Sequence, residues 1–152
     1  MQLILIRHGQ AEAIKTTDEV RELTELGRRQ AAWTAQQVMA KYQPDLFIVS
    51  PLIRAQQTRQ AFDAYCPDVP VLTFDGVKPD DEARPAIDWL GRQQGECIVV
   101  VCHMNVVAYM AGLLLGDHPD AFNLAEARVF EQPFISTAMS VEKNRFVPKL
   151  QQ

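Results

Sequence analysis

Four short apolar runs are the feature that most constrains the fold of this chain. Each is four to six residues long and rich in aliphatic side chains, and they lie at residues 3–6, 46–49, 69–74 and 97–101. They are too short for helices, and their hydrophobicity is continuous rather than alternating, which is typical of strands covered on both faces. The sequence therefore predicts four strands of a mostly parallel sheet.

Helical patterns lie between these runs. Three of them begin at residues suited to a helix start: Thr24 before 25–42, Ser50-Pro51 before 52–65, and Asn105 before 106–115. A fourth, looser pattern covers 82–94. Strands that alternate with helices predict an α/β fold, with a mostly parallel central sheet flanked by helices on both faces.

The C-terminal part of the chain reads differently. Residues 134–150 are rich in strand-forming side chains, and the pattern predicts two strands joined at Lys143-Asn144. No internal repeat, low-complexity tract or linker is visible in the 152 residues. We therefore expect residues 1–152 to form a single domain.

Charge and cysteine content exclude several classes of function. The formal net charge is −4 and the pI is about 5.3, which argues against a nucleic-acid-binding protein. No apolar run approaches the roughly 20 residues of a membrane helix, so no membrane partner is expected. The three cysteines have no metal-binding spacing, and an odd number argues against a disulfide framework. These features predict a reduced, cytoplasmic protein.

Basic side chains follow three of the predicted strands. Arg7 and His8 come after the first strand, Arg54 lies shortly after the second, and His103 follows the fourth. In open α/β sheets ligands bind outside the carboxyl ends of the strands, so we expect these four side chains to share one pocket. Two arginines and two histidines beside helix N-termini suit an anion, above all a phosphate group.

A metal site is the alternative use of these histidines. His8 and His103 alone make a poor zinc site, because a third ligand is missing and neither belongs to an H-x-x-x-H pair. We therefore predict no metal and no cofactor. The remaining histidine, His118, precedes Pro119 in a polar stretch and receives no role.

Four motifs give the chain a specific resemblance. They are LIRHGQAE at 5–12, RELTELGRRQA at 21–31, VSPLIRAQQT at 49–58 and VVVCHMN at 99–105. In this order they resemble the segments that define the histidine phosphatase, or phosphoglycerate mutase-like, superfamily. The short chain has no room for the helical elements that cover the site in larger members. It is most similar to the minimal, SixA-type protein phosphohistidine phosphatases, which also have an arginine at the place of Arg21.

The resemblance implies a role for each core residue. His8 is the expected nucleophile and forms a phosphohistidine intermediate, Arg7 and Arg54 hold the phosphoryl oxygens, and His103 donates to the same oxygens. The expected partners are phosphate and a phosphohistidine-bearing protein, such as a phosphotransfer or histidine-kinase type domain. Gly9, Ser50 and Arg21 complete the predicted substrate-binding set, although Arg21 could equally pair only with a surface acid.

Two other functions remain open at this point. Asp80 and Asp81 are candidates for the general acid of a small-molecule phosphomonoesterase, although their segment does not match the acid motif of the mutases. A non-catalytic phosphoprotein-binding module is the second alternative. The retained histidine at position 8 favours catalysis, because a binding module has no need of a nucleophile.

Overall fold

The computed structural model of the chain describes residues 1–149. Six strands form one sheet: β1 (Gln2–Arg7), β2 (Leu46–Val49), β3 (Val71–Thr73), β4 (Cys97–Cys102), β5 (Ala127–Glu131) and β6 (Val141–Phe146). Their spatial order is β3-β2-β4-β1-β5-β6. The first four strands pair in parallel, whereas β5 is antiparallel to both β1 and β6. The predicted mostly parallel sheet is confirmed.

Four α-helices cover the two faces of this sheet. They are α1 (Glu25–Met39), α2 (Ile53–Gln60), α3 (Ala83–Leu90) and α4 (Val106–Leu115). Leu3 and Leu5 share one buried cluster with residues of α3 and α4. The intervening Ile4 and Ile6 point to the opposite face and share a second cluster with residues of α1 and α2. Both faces of β1 are therefore buried, as continuous hydrophobicity predicts.

The three residues that were predicted to start helices have different outcomes in the structure. Thr24 caps α1 as expected, because its Oγ1 accepts a hydrogen bond from the Gly27 N–H at 3.0 Å. Asn105 precedes α4 but makes no capping bond with its side chain. The prediction for Ser50 is wrong: Leu52 occupies the cap position of α2, and Ser50 Oγ accepts from the Leu52 N–H in the preceding turn.

Several helices and strands are shorter in the structure than predicted. α1 ends at Met39, α3 covers only Ala83–Leu90, and the end of the second helical pattern is a 3₁₀ helix at Ala61–Ala64. The third strand shortens to Val71–Thr73 and is exposed throughout, because it forms the edge of the sheet. Its predicted burial on both faces is therefore wrong.

The predicted C-terminal turn is also wrong. Lys143 and Asn144 lie inside β6, and the partner strand is β5, which comes earlier in the chain. The charged Arg128 interrupts the apolar pattern of β5, yet it is buried through an ion pair with Glu126. A charge that is neutralised by a tertiary contact hides a strand from pattern analysis.

Candidate active site

The register of the sheet brings the two predicted histidines together. Arg7 pairs with Cys102 across β1 and β4, so His8 and His103 directly follow aligned strand ends. The His8 N–H continues the ladder by donating to the Cys102 carbonyl at 3.0 Å. The two imidazole centroids are 5.1 Å apart. The expected meeting of strand ends therefore occurs at this edge of the sheet.

His8 is held in one tautomer by its own neighbour. Its Nδ1 donates to the Gly9 carbonyl at 2.6 Å, so the lone pair lies on Nε2. Arg54 Nε donates to that Nε2 at 3.3 Å. Burial and the nearby arginines, chiefly Arg54, lower the pKa of His8 to about 4, although the bond to Gly9 opposes them. At neutral pH His8 is an uncharged imidazole with its lone pair facing a guanidinium group.

His103 lies deeper than His8 and is 1% exposed. Its Nε2 is 2.7 Å from Ser50 Oγ, while Nδ1 is buried and has no hydrogen-bond partner within residues 1–149. Burial, followed by the closeness of His8 and Arg54, lowers the pKa of His103 to about 2. This neutral ring therefore has one nitrogen to spare for a ligand.

Arg54 enters the site from the first turn of α2. It is only 3% exposed, and the next turn of the helix supports it through Thr58. Thr58 Oγ1 donates to the Arg54 carbonyl at 2.8 Å and accepts from the Gly9 N–H at 3.1 Å. One hydroxyl thus connects the loop after β1 to the helix that carries Arg54.

Arg7 approaches from the opposite side. Its Nη1 donates to the Phe122 carbonyl at 2.7 Å, and its buried Nε has no partner in the described part of the chain. Burial lowers the pKa of Arg7, and the negative charge of Glu126 opposes that shift. Like His103, Arg7 retains a polar group that no atom of residues 1–149 satisfies.

Gly9 makes the tight loop of the site possible. A Cβ atom at this position would lie 2.5 Å from the Gly27 carbonyl oxygen, which a larger residue could not relieve without moving the backbone. Gly27 is equally constrained, because a Cβ there would lie 2.0 Å from the Gln10 carbonyl. The two glycines let the loop after β1 pack directly against the start of α1.

Arg21 reaches the site through an acid. Its Nη1 donates to Asp18 Oδ1 at 2.9 Å and its Nε donates to the Glu12 carbonyl at 2.7 Å. Asp18 lies in a short 3₁₀ helix, Asp18–Val20, and its other oxygen accepts from Arg54 Nη2 at 3.0 Å. The structure shows the pairing of Arg21 with an acid, and that acid also contacts Arg54; a contact of Arg21 with substrate stays a prediction.

The candidate acids make no hydrogen bond to these groups in the described residues. Asp81 Oδ2 accepts from the Lys78 N–H at 2.8 Å and pairs with Lys78 Nζ at 3.0 Å. With Asp80, it lines a surface depression beside α4 that also contains Tyr109 and Asp117. The lining of that depression includes none of the four core residues.

Sequence reasoning missed Asp18, Thr58 and Glu126. Thr58 carried a signal, because it lies four residues after Arg54 and hence on the same face of a helix. Asp18 is three residues before Arg21, a spacing that suits an ion pair in a helical turn. No local signal identifies Glu126, since its influence on Arg7 depends on tertiary packing.

Metal binding and membrane insertion find no support in the described residues. Between residues 1 and 149, no three His, Cys, Asp or Glu side chains are grouped so that they could bind a metal ion. None of the helices in that range combines the length and the apolar character needed to cross a membrane.

Comparison with known proteins agrees with this geometry. Residues 3–78 match the family described as the histidine phosphatase superfamily (branch 1). The chain is 30% identical over 129 residues to the phosphohistidine phosphatase SixA homolog of Haemophilus influenzae, covering 76% of this chain and 78% of that protein.

Solved structures share the fold at lower identity. The protein histidine phosphatase SixA complexed with tungstate superposes with a TM-score of 0.86 at 21% identity, covering 97% of both chains. A phosphoserine phosphatase from Entamoeba histolytica, in complex with 3-phosphoglyceric acid, gives a TM-score of 0.72 at 21% identity and covers 97% of this chain and 98% of that one. The chain belongs to the histidine phosphatase superfamily and, within it, is of the SixA type.

Proposed function

We propose that the protein removes phosphate from phosphohistidine on another protein, through a phosphorylated His8 intermediate. The observation that carries this proposal is the fixed tautomer of His8. The Gly9 carbonyl accepts a hydrogen bond from His8 Nδ1 at 2.6 Å, so the lone pair of the ring lies on Nε2. This lone pair accepts from Arg54 Nε, and His8 lies beside His103 at the ends of two paired strands. A neutral, oriented imidazole beside cationic groups is what nucleophilic attack on phosphorus requires.

The reaction proceeds in two displacements. His8 Nε2 attacks phosphorus and forms a new N–P bond as the N–P bond of the substrate breaks, and the departing ring takes up a proton from solvent and leaves as neutral imidazole. Water then attacks the phosphorus of phospho-His8, the second N–P bond breaks, and neutral His8 is restored with its Nδ1 proton. The phosphate released carries both protons of the water and returns one to solvent. Arg54 Nε exchanges its bond to His8 for one to a phosphoryl oxygen, and Arg7 and His103 supply further donors to the developing charge.

Ser50 and Gly9 support the reacting groups. The Ser50 hydroxyl lies 2.7 Å from His103 Nε2 and fixes that ring. Both backbone polar groups of Gly9 are occupied, one by Thr58 and one by His8, so Gly9 orients the nucleophile. We extend the proposal to domain organisation: residues 1–152 act as one histidine phosphatase domain. In its support, the described strands belong to one sheet, and the four α-helices pack on the two faces of that sheet.

The leaving group favours phosphohistidine over an ester. An alkyl phosphate releases an alkoxide and gains about 10²–10⁴-fold from a general acid, whereas a phosphoramidate releases an imidazole, which leaves more easily. Asp81 is paired with Lys78, and neither Asp80 nor Asp81 is hydrogen-bonded to His8, His103 or Arg54 in the described residues. The 30% identity to the Haemophilus influenzae SixA homolog supports the same choice.

Small phosphate esters are the second candidate substrate. The fold shared with the Entamoeba histolytica phosphoserine phosphatase is the observation in their favour. For an ester, Asp80 or Asp81 would have to donate a proton to the leaving oxygen, and Asp81 would first have to give up its pair with Lys78.

A substrate panel decides between the two. We expect kcat/KM for a phosphohistidine-bearing protein to exceed that for phosphoserine or 3-phosphoglycerate by at least about a hundredfold, the lower end of general-acid assistance. Asp80→Asn and Asp81→Asn should change the phosphohistidine reaction less than about twofold. A better rate on an ester, lost in one of these two variants, would establish the small-molecule function instead.

A further inference from the structure

Asp18 connects the two arginines on the exposed side of the site. Its Oδ1 accepts from Arg21 Nη1 at 2.9 Å and its Oδ2 accepts from Arg54 Nη2 at 3.0 Å. The Asp18 backbone carbonyl also accepts, from Arg54 Nη1 at 2.9 Å. Both carboxylate oxygens and the carbonyl of one residue are thus used to hold guanidinium groups.

These contacts leave the Nε end of the Arg54 guanidinium group available to the phosphoryl group. A guanidinium group has five N–H donors in a rigid plane. Asp18 binds the two terminal nitrogens, and Nε points to His8 Nε2 at 3.3 Å. Because the group is planar, fixing its far end also fixes the direction of Nε. Arg54 has no other side-chain acid among its contacts in the described residues.

We propose that Asp18 is a positioning residue, which aims Arg54 Nε at the phosphoryl group and couples Arg21 to the same task. This inference rests on the proposed function, since it concerns the same phosphoryl site. It assigns to the 3₁₀ helix at Asp18–Val20 the role of a support on the exposed side of the site, which holds Arg54 without touching the reacting atoms. The Asp18 side chain remains 39% exposed while Arg54 beneath it is 4% exposed.

A role for Asp18 as general acid fits the structure poorly. The bonds from Arg21 and Arg54 lower the pKa of this carboxyl below its usual value, so it is ionised at neutral pH. Both of its oxygens are already occupied by cations. A proton donor needs the opposite environment, one that raises the carboxyl pKa.

A competing anion is the other alternative. If the Asp18 carboxylate only filled the phosphoryl subsite of the empty enzyme, its removal would free two guanidinium groups for phosphate. Anion binding would then become tighter and turnover faster. Positioning predicts the reverse, because Arg54 loses the contacts that set its direction.

A double-mutant cycle tests the positioning role. Asp18→Ala should lower kcat for the phosphohistidine protein about 10–100-fold, the range for losing hydrogen bonds to a charged group. Arg54→Met should lower it further, and the double variant should be no slower than Arg54→Met alone, because Asp18 acts through Arg54. Asp18→Glu should recover part of the loss. Independent, additive effects of the two substitutions would overturn the proposal.

Two further measurements keep the outcomes separate. Tungstate binding, measured by calorimetry on Asp18→Ala, should weaken or stay unchanged, and tighter binding would establish the competing-anion alternative. Asp63→Ala is the matched control, because Asp63 forms an exposed pair with Arg59 outside the site, and its kcat should stay within about twofold of the original protein. The substrate ranking is unaffected by Asp18, so a wrong substrate assignment would be recognised independently of this cycle.

Discussion

The two arginines that we propose to bind phosphate are supported in opposite ways. Arg7 is backed by a buried support, which we define as Phe122, Glu126 and Arg128. Arg54 is backed by an exposed support, defined as Asp18 and Arg21. Glu126 is fully buried and Arg128 is 3% exposed at its side chain, whereas the Asp18 and Arg21 side chains are 39% and 25% exposed. One side of the pocket is part of the core, and the other is part of the surface.

The buried support is a continuous network. Arg128 pairs with Glu126, donates to the Ala121 carbonyl at 2.7 Å, and lies 3.8 Å from the centre of the Phe122 ring. The Phe122 carbonyl in turn accepts from Arg7. Because its charges are removed from water, this network contributes to the stability of the fold as well as to the site.

The exposed support has a different energetic character. Ion pairs at the surface contribute about 0–1 kcal/mol to stability, since water competes with each partner, and the Asp18–Arg21 pair is of this kind. The Asp18–Arg54 pair is intermediate, because the carboxylate is 39% exposed and the guanidinium group is 4% exposed. The exposed support is therefore expected to act mainly on the direction of Arg54, with a smaller contribution to folding than the buried support, so the two supports differ in how much each contributes to stability.

The largest expected effect comes from breaking the buried support. Arg128→Leu removes the buried partner of Glu126 and leaves this carboxylate with Arg145 at 3.8 Å, a longer contact with a partly exposed cation. The free energy of unfolding should therefore fall by about 3–5 kcal/mol. Asp18→Ala should lower it by only about 1–2 kcal/mol, because Arg54 is buried but Asp18 is partly exposed, so water can take its place. Urea unfolding of both variants measures the difference. A double variant, Arg128→Leu with Glu126→Leu, should recover part of the loss, and equal stability of the two single variants would refute the comparison.

The arginines themselves provide the next test. Arg54→Ala should lower kcat/KM by about 10²–10³-fold, as the loss of one charged donor to a developing oxyanion does. Arg21→Ala should cost only about tenfold, because Arg21 contacts Asp18 rather than His8. Steady-state kinetics on a phosphohistidine protein give both values. A larger loss in Arg21→Ala than in Arg54→Ala would mean that the exposed support binds phosphate directly.

The pH dependence of stability is a smaller effect. The His8 pKa is about 4 in the folded protein and near 6.5 in an unfolded chain. Between these values only the unfolded state binds the proton, so the free energy of unfolding should decrease as pH falls from 6.5 to 4.5. In His8→Gln this part of the decrease should disappear. Unfolding curves at the two pH values measure it, and identical slopes in both proteins would contradict the assignment of His8 as buried and neutral.

The smallest expected effect is that of chelation. Positive charge at the site comes from Arg7 and Arg54. The described residues contain no cluster of three or more His, Cys, Asp or Glu side chains that could bind a metal ion. We expect kcat to stay unchanged after dialysis against EDTA, measured on the same phosphohistidine substrate. Activity that is lost on chelation and restored by zinc or magnesium would identify a metal-dependent enzyme.

Local patterns predicted most of the fold and the central site residues. β1 and β4 were recognisable because both of their faces are buried, and this same feature located His8 and His103 at neighbouring strand ends. β5 was not recognisable from the sequence, since the charged Arg128 interrupts its apolar pattern. Arg128 can be buried in this strand because it pairs with Glu126, and that contact depends on the tertiary structure. The burial of the edge strand β3 was overestimated, because hydrophobicity alone does not show whether both faces of a strand are covered.

The supports of the two arginines were beyond local prediction. Arg7 and Phe122 are separated by 115 residues, and Arg54 and Asp18 by 36. Contacts over such distances depend on how the loops fold over the sheet edge. Motif spacing identified the groups that we propose to touch phosphate, whereas the groups that hold them in place required the structure.

The phosphorylated form of His8 is the most direct test of the mechanism. Protein mixed with a ³²P-labelled phosphohistidine protein, quenched within milliseconds in alkali and digested, should yield a labelled peptide that contains His8. The label should be absent in His8→Ala, which is expected to stay folded because His8 lies after the end of β1. Label on any other residue, or rapid phosphate release by His8→Ala, would contradict the account.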